Sequence, residues 1–382
     1  MKITSLETII VDIPTKRVHK LSFGDIHHQS YVIVRARTTE GIEGIGEAST
    51  IGGPSWSEES PEGIKATIDR YLAPHILDQD PRRIEWLTTQ MDRAVKGNSF
   101  AKAAIEMALF DITARSLAVP VYQMFGGKVR DRIPLAWTLA TGDTARDIEE
   151  AEEKLATNMH YIFKIKIGAM EPREDVNRVA AIAAAVGARA SIRVDVNQAW
   201  NEITAAQWLP ALEDAGVALV EQPIPRWNID GMARLCLAHR IPIMADESLC
   251  STHDAIALAK AGAADVFALK VTKAGGLLNT RKVAAIADGA GIPCYGGCML
   301  ETSIGTAAYA HVFATLTDLS FGCELFGPLL LKDDITRTGL GFGEGAIQIP
   351  DGPGFGVELD DDKLNFYRRD RTASKTHSLG ST

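Results

Sequence analysis

SIRVDVNQAW (191–200), ALVEQPI (218–224), IPIMADES (241–248) and VFALK (266–270) share one texture: a short β-rich run that ends in a charged residue. The ends fall at Asp195, Glu221, Asp246 and Lys270. The series continues to Gly296-Gly297 after Ile292–Tyr295, and to Glu324 after Phe321–Cys323. The intervals are 26, 25, 24, 27 and 27 residues, room for one strand, one Ala-rich helix and two loops. Strands alternating with helices signal βαβ units and a parallel sheet. Two earlier runs, Ile133–Thr138 and Tyr161–Ile167, bring the strands to eight, the number of a TIM-type barrel. A doubly wound sheet is the rival. Its phosphate fingerprint is missing, because Gly41-x-x-Gly44-x-Gly46 has the wrong order and opens no helix.

Before the barrel the texture is mixed. Met1–Ile13 and Tyr31–Thr38 are β-rich, and Glu40-Gly41 turns into a short strand through Ile45. Ser60-Pro61-Glu62 has the form of a helix start, a capping hydroxyl followed by proline and an acid. Ile64, Ile68, Tyr71 and Leu72 follow at helical spacing to an expected end at Pro74. A longer helix carries Ile105, Ala108, Leu109 and Ile112 on one face and stops before Pro120. This is an α+β unit over 1–127, bounded near Phe125-Gly126-Gly127. The polar end, Thr372–Thr382, is expected to fray.

Composition removes several classes of function. With 46% hydrophobic and 23% charged residues, the 382-residue chain reads as globular. Its formal charge of −9 argues against a nucleic-acid binder, which needs a basic face for the phosphates. No apolar run approaches the roughly 20 residues that span a bilayer, and the N-terminus lacks a signal peptide's apolar core. The five cysteines, 236, 250, 294, 298 and 323, suit free thiols in a reducing cytoplasm. Cys294-x-x-x-Cys298 has no second pair to make a zinc site. A soluble cytoplasmic protein is expected.

The chemistry is read from the strand ends, where barrel active sites lie. Asp195, Glu221 and Asp246 end three consecutive strands roughly 5 Å apart, so their carboxylates should converge. Any one of them could simply cap the next helix; three in register ask for a counter-charge. Oxygen-only ligands point to a hard cation, Mg²⁺ or Mn²⁺. Lys164 and Lys166, two apart on one strand, point the same way, and Lys270 faces them across the mouth. Among apolar neighbours and beside a metal, the paired lysines are expected to lower each other's proton affinity, making one usable as a base. Metal and ammonium together would stabilise the dianion left when a proton leaves the carbon beside a carboxylate. Racemisation, elimination and cycloisomerisation all use this apparatus. A non-catalytic metal-binding barrel is the alternative of another class, and the complete set of acids and lysines speaks against it.

Lys164-Ile165-Lys166, Asp195, Glu221, Asp246 and Lys270 together resemble the muconate lactonizing enzyme subgroup of the enolase superfamily. Its mandelate racemase branch places a histidine–aspartate pair where this chain has Lys270 and Gly296-Gly297. The likeness runs over nearly the whole chain, including GEASTIGGP, FKIKIGA, YGGCMLETSIGT and FGCELFGPLLL, the last being the most specific to the muconate cycloisomerases. Dipeptide epimerases of the subgroup carry aspartate-x-aspartate at the eighth strand, which Cys323-Glu324-Leu325 lacks.

The resemblance implies a modified (β/α)7β TIM barrel over 128–350 with an N-terminal α+β capping domain, and a C-terminal segment, 351–382, returning to the cap. It implies reversible conversion of cis,cis-muconate to muconolactone in aromatic catabolism, through an enolate and with Mg²⁺ or Mn²⁺. Asp195, Glu221 and Asp246 would hold the metal, and Asn197 would support it. Lys166 would be the proton donor, Lys164 would hold the carboxylate, Lys270 would stand on the opposite face, and Glu324 would tune that face. Cap loops at Ser22–Gly24 and Ile51–Trp56 would close over the small dicarboxylate, with Ile51, Trp56 and Phe326 touching it. Gly52–Trp56 follows the Gly-Gly-Pro-x-Trp form of chloromuconate relatives. o-Succinylbenzoate synthase, N-acylamino-acid racemase and dipeptide epimerase are the nearby alternatives. Octameric family members imply a homo-oligomer.

Overall fold

The computed structural model describes residues 1–371, so Thr372–Thr382 lies outside the described residues. Strands Ile3–Leu21, Gly24–Thr38 and Glu43–Thr50 form an antiparallel N-terminal sheet in that order. The first runs past Ile13 to Leu21, and the third past Ile45 to Thr50. Polar residues hid these extensions: Thr15, His19, Glu47, Ser49 and Thr50 are all buried, facing the barrel or the cap interior rather than water.

Ser60 Oγ accepts a hydrogen bond from Gly63 N and opens the helix Pro61–Thr67. Pro74 does not end that segment. A wide π-helical turn, Ile68–Leu72, intervenes, and helix resumes over Ala73–Ile76. The widened turn carries the chain past the clash a proline ring makes with the carbonyl four residues back. Helix Ser99–Ser116 departs from the expected one-faced pattern: every residue from Phe100 to Ala114 is buried. It is the central rod of the molecule, packed on the strand Glu43–Thr50 on one side and on the barrel helices Val271–Ala274 and Leu277–Ala290 on the other. Its buried Asp111 is well paired: it accepts from Ile45 N at 3.1 Å and Phe355 N at 3.0 Å and meets Arg115 at 2.9 Å. Gly46 lets sheet and rod touch, since a Cβ there would stand 1.9 Å from the Ala104 carbonyl oxygen.

The parallel sheet runs, in sequence order, through Ala136–Leu139, Ile162–Lys166, Ser191–Asp195, Leu219–Glu221, Ile243–Ala245, Val266–Leu269 and Cys294–Gly296. The run Ile133–Thr138 is split. Arg132–Pro134 turns away to pair antiparallel with Ala346–Gln348, and the barrel strand begins at Ala136. The eighth strand shrinks to a single residue. Cys323 makes parallel bridges to Gly296 and to Leu135, joining the last strand to the first and closing a modified TIM barrel under an N-terminal cap. The chain's end packs on its beginning, with Asp361–Tyr367 against the first strand and Arg368 bridged to Val11. No helix among the described residues is long and apolar enough to cross a membrane.

Gly46→Ala drives a methyl into helix backbone and should cost about 1–3 kcal/mol or more in urea unfolding. Gly289→Ala, with nothing within 4 Å of the added Cβ, is the neutral or stabilising control. Equal midpoints for the two variants would contradict this packing.

Candidate active site

Register builds the site. Lys166 pairs with Asp195, and Asp195 with Glu221, as parallel partners on neighbouring strands, so the three side chains leave the sheet at one level. Asp246 follows the fifth strand, and Lys270 the sixth. Tight left-handed turns at Asn197, Gln198 and Gln222 (φ 45°, 68° and 34°) fold the chain back directly past these ends. Gln222 Oε1 accepts from Asp246 N at 3.0 Å and from Ser248 Oγ at 2.8 Å, tying the fourth loop to the fifth.

Each acid is turned onto an ammonium. Lys166 Nζ lies 2.5 Å from Asp195 Oδ2 and 3.0 Å from Asn197 Oδ1. Lys164 Nζ lies 2.9 Å from Glu221 and 3.4 Å from Asp195, and also contacts Glu324. Lys270 meets Asp246 Oδ2 at 2.6 Å. On its other side Lys273 donates to Asp246 Oδ1 at 2.5 Å and to the Asp246 carbonyl at 2.6 Å.

The protonation states follow from this pairing and reverse one expectation. Burial alone would depress Lys164, but Glu221, Glu324 and Asp195 outweigh it and hold its ammonium well above the usual lysine range. Lys270 is raised likewise, burial being overcome by Asp246 and Glu221. The expected lowering of lysine proton affinity is thus not found at Lys164 or Lys270: the surrounding carboxylates outweigh burial and, at Lys270, the repulsion from Lys164. Glu221 is pushed well up by burial and by Asp195, and Glu247 to about 7 by burial, Asp246 and Asp195. Asp246 is held low despite burial, by Lys270 and Lys273.

Asp195, Glu221 and Asp246 stand at the ends of three adjacent strands, each within ion-pair distance of a lysine. Asp195 is shared by Lys164 and Lys166, Glu221 meets Lys164, and Asp246 is shared by Lys270 and Lys273, so the lysines offset the repulsion between the acids. The donor set still fits a hard cation. It is all oxygen, and the buried Glu221 Oε1 and Glu247 Oε2 have no hydrogen-bond partner among the described residues.

Above the acids lies a small cleft whose walls come from both parts of the chain. The cap supplies His19, Leu21, Phe23, Ile51 and Trp56; the barrel supplies Lys166, Asn197, Lys270, Glu324 and Phe326, among others. Lys270 Nζ sits 4.6 Å from the Trp56 ring centroid, a cation–π contact. Of the residues singled out in the sequence, Lys166, Asn197, Lys270, Glu324, Ile51, Trp56 and Phe326 thus share one cleft. Lys164 lies beneath it, fully buried.

Residues 5–126 match the mandelate racemase/muconate lactonizing enzyme N-terminal domain, and residues 146–363 the enolase C-terminal domain-like family. The chain belongs to the enolase superfamily. Chloromuconate cycloisomerase of Pseudomonas sp. (strain P51) is 50% identical over 97% of this chain and all of its own length. Muconate cycloisomerase 1-1 of Acinetobacter lwoffii is 46% identical over 96% of this chain and 97% of its own. The muconate lactonizing enzyme of Pseudomonas fluorescens, solved with muconolactone, superposes with a TM-score of 0.95 at 49% identity, covering 96% of this chain and 99% of that one. These superfamily relatives are isomerases, and muconate cycloisomerases are divalent-metal dependent.

Sequence reading missed several participants in this superfamily site. Lys273 stands one helical turn after Lys270 in KVTKAGG, a spacing that places both on Asp246. Glu247 follows Asp246 directly and accepts from Asn197 Nδ2 at 3.1 Å. His19 lies on the unrecognised strand extension and is held neutral by burial, Arg17 and the lysines. Glu221→Gln should weaken divalent-cation binding at least about 100-fold, more than loss of a supporting residue costs. Calorimetric titration with Mn²⁺ checks this, and unchanged affinity would remove Glu221 from the ligand set.

Proposed function

We propose that this protein catalyses the reversible cycloisomerisation of cis,cis-muconate, or of a chlorinated muconate, to the corresponding muconolactone. The observation that carries it is a cleft with Lys166 and Lys270 at its floor and Ile51, Trp56 and Phe326 in its walls. That is a match for a flat dicarboxylate with charged ends and an apolar middle. Full-length relatives at 46–50% identity that bear these activities support it.

One substrate carboxylate oxygen forms a bond to the diene carbon β to the other carboxylate, and the displaced π pair moves through the α-carbon toward that carboxylate as an enolate. Lys166 then passes a proton to the α-carbon, which gives the lactone and leaves a neutral amine for solvent to reprotonate. In reverse the same amine removes that proton. Asp195 and Asn197 hold Lys166 in place by hydrogen bonds of 2.5 and 3.0 Å. Lys164, anchored by Glu221 and Glu324, contributes fixed positive charge beneath the enolate. Lys270 does so from the opposite side, its position fixed by Asp246 and Trp56. Asp195, Glu221 and Asp246 would hold a divalent cation, Mg²⁺ or Mn²⁺, which supplies Lewis-acid stabilisation to the enolised carboxylate. The cap closes the cleft and keeps water from the enolate. We also assign residues 1–127 to the cap, 128–350 to the barrel and 351–382 to the returning segment, and take the protein as a cytoplasmic homo-oligomer.

Lys166→Ala should retain fold and Mn²⁺ binding but lose deuterium exchange at the α-carbon of muconolactone, by roughly 10²–10⁴-fold. Wild-type exchange would pass the role to another group. Trp56→Tyr should alter the kcat/KM ratio of chloromuconate to muconate by the roughly tenfold or more that one apolar contact is worth, with Mn²⁺ affinity unchanged. An unmoved ratio would leave Trp56 as packing alone.

A further inference from the structure

Leu300 is the only leucine among the described residues with a left-handed backbone (φ 59°), and it is 2% exposed. Glycine or asparagine takes this conformation far more readily than a bulky side chain. A strained residue persists where its surroundings over-determine it, and such residues gather at functional sites. Leu300 lines the substrate cleft.

The surroundings that hold it come from the cap. Tyr31 Oη donates to the Leu300 carbonyl at 2.7 Å, and Gln29 Nε2 donates to the Met299 carbonyl at 2.9 Å. Both residues lie on the central cap strand and are fully buried. Within the loop, Met299 N donates to Glu301 Oε1 at 2.7 Å, and one residue on, Thr302 N donates to Glu47 Oε1 at 3.0 Å. The loop also leaves the seventh strand hard against the lysine floor: a Cβ on Gly297 would stand 2.7 Å from Lys270 Cε. The backbone from 297 to 302 is thus clamped between Lys270 and three cap side chains, with the Leu300 isobutyl group as the part that reaches the cleft.

We propose that Leu300 is a specificity-determining residue of the cleft, and that Tyr31 and Gln29 are positioning residues that set its reach through the loop backbone. The cap then shapes the substrate pocket by gripping a barrel loop from behind as well as through the loops that cover the mouth.

The inference rests on the cycloisomerase reading, and the experiment separates the two. Steady-state kinetics with cis,cis-muconate and a chloromuconate are measured for wild type, Leu300→Ala, Tyr31→Phe and the double variant. Leu300→Ala should raise the chloromuconate-to-muconate ratio of kcat/KM roughly tenfold, mainly through KM. Tyr31→Phe should move the ratio the same way by about threefold, the worth of one hydrogen bond. In the Leu300→Ala background Tyr31→Phe should add nothing, since its effect acts through that side chain. A ratio within about twofold of wild type in Leu300→Ala, additive effects, or equal losses on both substrates would overturn the inference. If Leu300→Ala does not fold, Leu300→Gly, suited to the left-handed backbone, takes its place. If wild type turns over neither substrate, the cycloisomerase reading fails. The crystal structure of Tyr31→Phe then decides the positioning claim, which falls if Leu300 keeps its conformation and place in the wall.

Discussion

Charge taken out of water is the constraint around which this molecule is arranged. Asp195, Glu221 and Asp246 are buried, and so are Lys164, Lys270 and Lys273. An ion in such surroundings survives only when it is paired and its remaining hydrogen bonds are met. The pairs are shared rather than private: Asp246 is held by two lysines, and Lys164 by three acids. Moving Asp246 would strip Lys270 and Lys273 of their carboxylate at once, in a medium where an unpaired charge is costly. Strand register, the left-handed turns and the Gln222 brace all serve to keep this set in place.

The same dryness makes the site chemically useful. A positive charge stabilises a developing enolate more strongly when water is excluded, because little solvent is present to screen it. Exclusion depends on the cap, whose strand extension brings His19 and Leu21 over the mouth and whose loop brings Ile51 and Trp56. Trp56 adds a ring face to Lys270, a soft partner that does not compete with Asp246 for the proton. Barrel and cap thus divide the work, the one fixing charge and the other fixing shape.

Much of this was legible in the residues. The near-constant interval between strand ends placed Asp195, Glu221, Asp246 and Lys270 at one end of a barrel, because a strand, a helix and two loops occupy a nearly fixed length of chain. What stayed hidden followed from tertiary context. His19 and Glu47 lie on strands whose polar residues face a buried interface, so hydrophobic alternation stopped too early. The helix Ser99–Ser116 looked one-faced because its buried Lys102, Glu106 and Asp111 read as a solvent side, whereas Lys102 reaches out to Asp92, Glu106 accepts from Leu277 N and Asp111 meets Arg115. The direction in which each carboxylate turns, and hence the raised proton affinity of Lys164, depends on which counter-charge is nearest in space, and no spacing rule reports that.

Arg369 joins the two ends of the chain. Its guanidinium bonds Asp12 at 2.6 and 2.7 Å across a separation of 357 residues, beside the bridge from Arg368 to Val11. During synthesis the first strand emerges roughly 20 to 70 seconds before its last partner, at a ribosomal pace of about 5–20 residues per second. The N-terminal sheet must therefore wait, incompletely covered, while the entire barrel is made. Contacts so distant along the chain are slow to form, which makes the final docking of this segment a late event in maturation.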